Sequence, residues 1–360
     1  MKKHFFYLLI FAVAYIISCI GSSVSAQKEV VLDTKYQKLL FTTGEFVLTG
    51  SDGAISIEMD KKKSLWLWGD AYMGKSVGDG IRDRLHPNVF GNLFSVLDGD
   101  KVKTIYGGTP QRPGPVVASE KVEGKHAVYW PHHGLFKNGI FHMFATRIVF
   151  GGTGGMWDFR GDALVYYRVS YPDFKLIDIQ FLDSYAANEV GFGYGLHKVG
   201  DHYCMYGSKA GKFFACRARL VNDKFRDWEF FDGTNWTTDP AKTKAMAGTD
   251  GVWSSSQFSV FKHKNKFILI NQGGMLSPDI YSFISDSPTG PWYNKKLLYK
   301  VPEIVNDKNL VTYNAMAHPQ YKDKKDMLLV SYCLNMSKPT LTASDYQPRF
   351  IWVPYDMILK

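Results

Sequence analysis

The chain has 360 residues, of which 45% are hydrophobic and 15% aromatic, and its formal net charge is +9. This length is ample for a large hydrophobic core. Lysine and arginine are scattered along the chain rather than grouped, so the positive charge indicates solubility and no nucleic-acid partner is expected.

The first 26 residues have the pattern of a secretory signal peptide. Two lysines precede an apolar run at residues 5–20, and the small-x-small sequence Val24-Ser25-Ala26 follows as a cleavage site. The run is shorter than the roughly 20 residues that a membrane span needs. We therefore expect cleavage after Ala26 and a mature, periplasmic or secreted protein formed by residues 27–360.

Cys19 provides an alternative to cleavage after Ala26. It follows Ile16-Ile17-Ser18, which resembles a lipoprotein signal. In that case Cys19 would become the lipidated first residue of an outer-membrane lipoprotein. A lipid anchor at Cys19 is the only membrane attachment that the sequence suggests, because no second apolar span follows.

Short strand-like runs, broken by Gly, Asn, Asp or Lys turns, recur along the rest of the chain, whereas convincing amphipathic helices do not. Five units share one layout, a strand, a polar turn and an aromatic-rich strand, at residues 54–68, 134–145, 195–206, 258–271 and 319–332. Such regular repetition is typical of propeller blades with insertions. It predicts an all-β fold, a single five-bladed β-propeller domain over residues 27–360, closed by residues 30–41. A sandwich or jelly roll, the rival fold, would space its strands more evenly.

The first hairpin carries two carboxylates at one end. Asp52 leads into its first strand and Asp70 follows its second, each beside a glycine. Because the start of one antiparallel strand lies beside the end of its partner, these two side chains should be neighbours. Neighbouring carboxylates shift each other's pKa and can divide into an acid and a base, as glycoside hydrolysis requires. A turn-capping role for Asp52, or binding of backbone amides by Asp70, remains the structural alternative.

Polar residues recur near the predicted inner strands, which line the central channel of a propeller. Few of them suit a buried strand, so they are candidates for substrate binding: His132, His133, Arg147, Asp250, Gln257, Asn314 and His318. Glu189, just before the third inner strand, is the reserve candidate for the catalytic acid. The alternatives are hydrogen-bonded core histidines, a turn at Asp250-Gly251, a salt bridge for Arg147 and a solvated loop position for Glu189.

Aromatic residues near these positions are candidates for stacking against sugar rings, namely Trp68, Tyr72, Trp130 and Trp157. The Gly-rich loop at residues 151–155 could cover the cleft. No cofactor is required for this chemistry. A structural cation in the central channel is the one metal that we consider, because no Cys or His spacing suggests a metal site.

Cys204 and Cys216 are placed symmetrically about Ala210. We expect them to face each other across one hairpin, where an exported protein could oxidise them. Two ordinary buried thiols are the alternative, and Cys333 has no obvious partner.

Four phrases resemble those of known propeller families. Ser285-Asp286-Ser287-Pro288-Thr289-Gly290-Pro291-Trp292 resembles the blade-ending phrase of five-bladed glycosidases such as glycoside hydrolase family 43. The phrases at residues 50–54, 65–70 and 313–319 resemble a related group of exported bacterial propellers that includes the endo-D-arabinanases. The resemblance spans most of the mature chain. It departs at Ala71-Tyr72, where that group usually has Thr or Ser after the Gly-Asp pair.

The resemblance implies an exported glycoside hydrolase that acts on a furanose-containing, arabinan-like polysaccharide, with Asp52 and Asp70 as the acidic pair. The rival function is a non-catalytic carbohydrate-binding propeller, which would keep the aromatic residues without needing two acids. A sialidase is disfavoured because Ser287 stands where the repeated sialidase turn has Asp.

Overall fold

The computed structural model describes residues 29–76, 81–82, 88–89, 91–151, 158–274, 276–337 and 340–360. The predicted signal peptide with Cys19 lies outside these residues. Trp157 and most of the Gly-rich loop at residues 151–155 also lie outside them.

Five antiparallel sheets form the blades of a five-bladed β-propeller, which confirms the predicted fold. Blade 1 contains Ile55–Glu58, Lys63–Trp68, Leu93–Asp98 and Lys101–Ile105. Blade 2 contains Ala127–Lys137, Ile140–Phe150, Phe159–Ser170 and Leu176–Phe181. Blade 3 contains Gly191–Val199, His202–Lys209, Lys212–Val221, Lys224–Phe231 and Trp236–Thr237. Blade 4 contains Ser259–His263, Lys266–Gln272, Asp279–Ser285 and Tyr293–Lys300. Blade 5 contains Leu310–His318, Met327–Met336, Arg349–Pro354 and Val31–Asp33.

The first strand of each blade contacts the first strands of its two neighbours, so these five inner strands form a ring around the central channel. We call the end of the channel where the inner strands begin the mouth. Because the strands within a blade are antiparallel, the second strand of each blade ends at the mouth. Side chains just before an inner strand or just after a second strand therefore meet at the mouth.

The N-terminal strand closes the ring, as predicted for residues 30–41. Val31–Asp33 pairs antiparallel with Arg349–Pro354, which makes it the outermost strand of blade 5. The indole nitrogen of Trp352 donates a hydrogen bond to Asp33 (2.7 Å). One blade is thus built from both ends of the described chain.

The remaining described elements are short. The helices are Lys35–Leu40, Ser184–Asn188, Glu303–Asn306 and Tyr355–Leu359, with 3₁₀ turns at Pro240–Lys242 and Ala343–Tyr346. A further sheet consists of Gly44–Ser51, Ala71–Ser76 and Asn88–Val89, and a small ribbon pairs Gly107–Thr109 with Arg112–Gly114. Among the described residues, no helix is long and apolar enough to cross a membrane.

Apolar side chains from neighbouring blades fill the space between them, which explains why the inner two strands of a blade are buried on both faces. The junction of blades 5 and 1 is rich in aromatics. Trp66 stacks on Trp68 at 5.8 Å, and its indole nitrogen donates a hydrogen bond to the Tyr321 hydroxyl (2.9 Å). This packing holds the first hairpin, and with it the mouth end of blade 1.

The predicted pairing of Cys204 and Cys216 is wrong by one residue. The two-residue turn is Ala210-Gly211, so Cys204 lies opposite Arg217 and Cys216 lies opposite Met205. A shift of one residue in register turns a side chain to the other face of a sheet. Cys204 accordingly packs toward blade 4 and Cys216 toward blade 2. All the described cysteines are buried and free.

We expect both thiols to be recovered unoxidised from the native protein. Burial raises the pKa of Cys204 to about 11, and the pKa of the Cys216 thiol is also raised, so neither is a reactive thiolate at neutral pH. Alkylation in denaturant without reductant, followed by peptide mass spectrometry, should label both. A disulfide-linked pair of these peptides would contradict the register.

Candidate active site

Asp52 and Asp70 lie side by side at the mouth, as the antiparallel hairpin predicts. The Gly69 amide donates to the Asp52 carbonyl oxygen (3.0 Å), and the Ser51 hydroxyl donates to the Asp70 carbonyl oxygen (2.8 Å). The fit is close, because a Cβ added to Gly69 would overlap Oδ1 of Asp52. Both residues are half-buried at the mouth.

Blade 5 supplies the partners of Asp52. The Tyr313 hydroxyl donates to Oδ2 of Asp52 (2.7 Å), and the Asn335 amide donates to the same hydroxyl oxygen (2.9 Å). Burial raises the pKa of Asp52, while the hydrogen bond from Tyr313 favours the ionised form and opposes that rise. Asn335 therefore directs the Tyr313 proton toward the Asp52 carboxylate.

Asp70 has a different set of partners. Its Oδ1 accepts hydrogen bonds from the Gly91 amide (2.8 Å) and from the Trp130 indole nitrogen (3.1 Å). Burial raises the pKa of Asp70 to about 7, and the charge of neighbouring Asp52 adds to the rise. Near neutral pH Asp70 thus holds its proton part of the time, beside an Asp52 whose hydrogen bond from Tyr313 favours the ionised form.

An aromatic cluster supports the pair from the side of blade 5. The Tyr346 hydroxyl donates to the Asp70 carbonyl oxygen (3.0 Å), and the Tyr72 ring lies edge-on to the Tyr346 ring at 5.6 Å. The buried Arg82 guanidinium lies over the Tyr72 ring at 4.6 Å and donates to the Ala343 carbonyl oxygen (2.9 Å). Arg82 thereby ties the segment that carries Tyr346 to the sheet that carries Tyr72.

Sequence reasoning missed four of these residues: Tyr313, Asn335, Tyr346 and Arg82. Tyr313 was within reach, because it directly precedes the candidate Asn314 in a phrase already singled out. Tyr346 and Arg82 belong to irregular segments between strands, where no periodicity marks a functional position. Only the closed ring brings them to the carboxylates.

His132 is buried on the inner strand of blade 2, and its two ring nitrogens hydrogen-bond within blades 2 and 3 rather than to either carboxylate. Its Nδ1 donates to the Phe192 carbonyl oxygen of blade 3 (2.7 Å), and its Nε2 hydrogen-bonds with the Thr146 hydroxyl (2.9 Å). Burial lowers the pKa of His132 to about 4, so the ring is neutral at physiological pH. His133 is half-buried and hydrogen-bonds to the backbone of Gly134, with its Nδ1 2.7 Å from the carbonyl oxygen.

Gln257 and Asn314 also connect the inner strands of different blades. The Gln257 amide donates to the Pro131 carbonyl oxygen (2.9 Å), and Oδ1 of Asn314 accepts from the hydroxyls of Ser255 (3.1 Å) and Ser256 (2.9 Å). Both side chains are buried. These contacts give the two residues a structural role in holding the channel together.

His318 does not reach the mouth. It ends the inner strand Leu310–His318, which runs away from the mouth, and its two ring nitrogens hydrogen-bond with Ser56 (2.7 Å) and Ser331 (2.8 Å). The ring is buried against Trp66, and burial lowers its pKa to about 3. The structure therefore favours the alternative of a hydrogen-bonded core histidine.

Arg147 and Glu189 lie beside a second feature of the mouth, a groove of about 570 Å³ between blades 2 and 3. Arg147 forms a bidentate ion pair with Asp162 (2.8 and 2.7 Å), which is the salt bridge given as the alternative to substrate binding. Glu189 is exposed and pairs with Lys209 at 2.9 Å. Neither residue contacts the carboxylate pair. A smaller cavity of about 180 Å³ lies at the opposite end of blade 1, near its polar turn.

Asp250 occupies an exposed turn, in which the Val252 amide donates to the Thr249 carbonyl oxygen (3.4 Å). This is the structural alternative stated for Asp250-Gly251. Within the part of the chain that the structure describes, no group of three or more His, Cys, Asp or Glu side chains is placed to hold a metal ion.

Comparison with known proteins identifies the family. The model of the family described as a domain of unknown function, DUF5005, matches residues 33–355, and the chain belongs to this family. No curated protein matches the sequence. A candidate hydrolase from Bacteroides ovatus is similar in structure, with a TM-score of 0.73, 19% identity and 90% of each chain covered. At that identity the likeness shows the propeller fold.

Two glycoside hydrolase structures are more distant. The xyloglucan PUL protein GH43B of Bacteroides ovatus has a TM-score of 0.47 and 13% identity, with 90% of this chain and 54% of that chain covered. The xylan β-1,4-xylosidase of Bacillus halodurans has a TM-score of 0.48 and 10% identity, with 86% and 53% covered. The chain thus spans about half the length of each of these two proteins.

Proposed function

We propose that this member of the DUF5005 family is an exported glycoside hydrolase that cleaves a furanose-containing polysaccharide such as arabinan. Asp70 is the general acid and Asp52 the general base. The observation that supports this assignment is the pair of adjacent, half-buried carboxyls at the mouth of the channel, held by different hydrogen-bond partners. Two carboxyls whose surroundings separate their pKa values are the arrangement that divides acid from base.

The proposed step follows from the proton positions. Oδ1 of Asp70 already accepts two hydrogen bonds, so the proton resides on Oδ2. Asp70 gives this proton to the glycosidic oxygen as the bond from that oxygen to the anomeric carbon breaks. A water molecule attacks the anomeric carbon and gives its proton to the ionised Asp52. The products are two shorter sugar chains, each with a new hydroxyl group at the cleaved bond. The reaction requires no cofactor.

Trp130 and Tyr72 are the proposed walls of the cleavage position. Trp130 is fixed by its hydrogen bond to Asp70 and by edge-on packing against Phe159 at 4.8 Å. Tyr72 is fixed between Tyr346 and Arg82. Rings held in this way lose little freedom when a sugar binds between them.

Purified protein, starting at the proposed mature residue Gln27, should release reducing ends from arabinan. Chromatography of the products identifies the sugar, and a panel of xylan, arabinan and galactan identifies the polymer. Binding to one of these polymers without release of sugar would instead favour the carbohydrate-binding function. N-terminal sequencing of protein from the native host checks the start at Gln27 against a lipidated Cys19.

The pH profile of kcat/KM should be bell-shaped. Activity falls as the pH rises through about 7, because Asp70 loses the proton that it must donate. Activity also falls in acid, where Asp52 becomes protonated. Tyr313→Phe removes a hydrogen bond that favours ionised Asp52, so the pKa of Asp52 rises and the acid limb moves to higher pH. The alkaline limb should stay in place.

Tyr293→Phe is the matched control for this profile. Its hydroxyl also donates to an aspartate, Asp286 at 2.8 Å, but on the outer part of blade 4. The profile of this variant should coincide with that of the native protein. An unchanged acid limb in Tyr313→Phe would remove Asp52 from the role of base.

A further inference from the structure

We propose that Trp253 is a sugar-stacking platform at the far end of the groove between blades 2 and 3. It would hold a neutral glycan chain that extends across the mouth from the cleavage position. This inference rests on the proposed function for the class of ligand. It adds a binding position that is separate from the carboxylate pair and its hydrogen-bond partners.

Trp253 is 69% exposed, the largest fraction among the big hydrophobic side chains that the structure describes. Its backbone is nevertheless held firmly. The Trp253 carbonyl oxygen accepts a hydrogen bond from the side-chain amide of Asn271 (3.0 Å), and the backbone amide of Ser254 donates to the Gly211 carbonyl oxygen (2.9 Å). A single exposed tryptophan is common on protein surfaces, but a braced one is suited to binding.

Gly211 shows how close the ring lies to the hairpin of blade 3. A Cβ added to Gly211 would meet three atoms of the Trp253 ring, the farthest at 3.1 Å. One part of the indole therefore rests on the turn Ala210-Gly211, and most of the ring remains open to solvent. An aromatic surface fixed in this way offers a large apolar area at little cost in conformational freedom.

The groove lies on blades 2 and 3, between the strands that lead toward this platform and toward Trp130. At one end it is lined by Lys209 and Ala210, which precede Gly211, the glycine that the Trp253 ring contacts. At the other end it is lined by Arg160, which follows Phe159 in the chain. The Phe159 ring packs edge-on against Trp130, whose indole nitrogen donates to Asp70. The groove thus has the Gly211 turn, on which Trp253 rests, beside one end, and the strand that begins at Phe159, next to Trp130, at the other.

The charges along the groove favour a neutral ligand. Two cations, Arg160 and Lys209, are balanced by two anions, Asp162 and Glu189, and Lys209 pairs with Glu189 at 2.9 Å. Asp162 is also paired with Arg147. With Arg147 the groove has three cations and two anions, so its net charge is small, and most of these charges are already paired, which suits the hydroxyl groups of a neutral sugar chain better than a polyanion.

The test measures binding separately from cleavage. Affinity electrophoresis in soluble arabinan or arabinoxylan is carried out with the Asp70→Asn protein, so that little polymer is consumed during the run. Adding Trp253→Ala should weaken retention at least about tenfold, the effect of losing an aromatic anchor, while Trp253→Phe should keep most of it. Leu297→Ala, at a 50% exposed position on the outer strand of blade 4, is the control and should have no effect.

Two results separate the two proposals, and a third tests the charge of the ligand. If no polymer is cleaved but Trp253→Ala abolishes binding, the platform stands and the hydrolase proposal fails. If the native protein cleaves a polymer and Trp253→Ala binds and cleaves it normally, the platform is wrong and the hydrolase proposal stands. Tighter retention in polygalacturonate than in the neutral polymers would overturn the neutral-ligand inference. In the native background, Trp253→Ala should raise KM for the polymer and leave kcat nearly unchanged.

Discussion

Asp70→Asn is expected to lower kcat on the furanoside polymer by about 10²–10⁴-fold, the usual contribution of a general acid or base. Asn keeps the size of the side chain and an oxygen that can accept from the Gly91 amide and the Trp130 indole. The carboxyl proton is what the substitution removes. Initial rates of reducing-sugar release at saturating substrate measure the loss.

Asp52→Asn should cause a loss in the same range, because it removes the proposed base while leaving an oxygen for the Tyr313 hydroxyl. Asp250→Asn is the matched control, since that residue lies in an exposed turn. It should retain nearly full activity. Near-normal activity in both Asp52→Asn and Asp70→Asn would place the chemistry elsewhere, and Glu189 would be the next residue to replace.

A stability measurement distinguishes lost chemistry from lost structure. The pKa of Asp70 in the folded protein, about 7, is above the ordinary value near 3.9, so the folded state binds a proton more tightly than the unfolded state. The stability of the native protein relative to Asp70→Asn should therefore fall as the pH rises from about 4 to about 7, since the buried histidines contribute equally to both proteins. Asp70→Asn lacks this loss, so its melting temperature should equal or exceed the native value above pH 7.

Gly69→Ala is expected to lower kcat by about 10²-fold while the protein stays folded, because displacement of a catalytic group by about 1 Å can cost that much. The added Cβ would overlap Oδ1 of Asp52, which Tyr313 holds through Oδ2. The carboxylate must move to relieve the overlap. Gly69 does not have a positive φ, so alanine meets no backbone strain there.

Gly114→Ala provides the control for this substitution. Its φ is also not positive, and the nearest atom to an added Cβ is the Gly107 carbonyl oxygen at 3.9 Å, an ordinary contact. Both variants should melt within a few degrees of the native protein. Native kcat in Gly69→Ala would mean that the position of the Asp52 carboxylate is not critical.

The first hairpin illustrates what the sequence could predict. The strands at residues 54–57 and 65–68 and their polar turn are local, and antiparallel geometry places Asp52 beside Asp70 without any knowledge of the rest of the chain. The fivefold repetition of the same layout predicted the propeller for the same reason, since each blade begins with a hairpin of neighbouring strands. Closure by the N-terminal strand followed from the requirement to complete the last blade.

The errors come from two kinds of missing information. Whether Cys204 and Cys216 face each other depends on the centre of the turn, which can be a single residue or the bond between two residues. A difference of one residue turns a side chain to the other face of the sheet. Whether His318 reaches the mouth depends on the end of the strand at which it lies. The polar character of the residue does not indicate which end that is. Arg147 and Glu189 do lie on the mouth side as predicted, but their ion pairs with Asp162 and Lys209 place them at the groove rather than beside the carboxylate pair.

The sequence by itself therefore determined the repeat, the strands and the meeting of Asp52 with Asp70, because each depends on contacts between residues close together in the chain. Only the tertiary structure decided which groups hydrogen-bond to each carboxyl. The Tyr313 hydroxyl reaches Asp52 across 261 positions of the chain, and the Trp130 indole reaches Asp70 across 60. Such partners meet only when the ring of blades closes, and the burial that raises the pKa of Asp70 is a property of that closed ring.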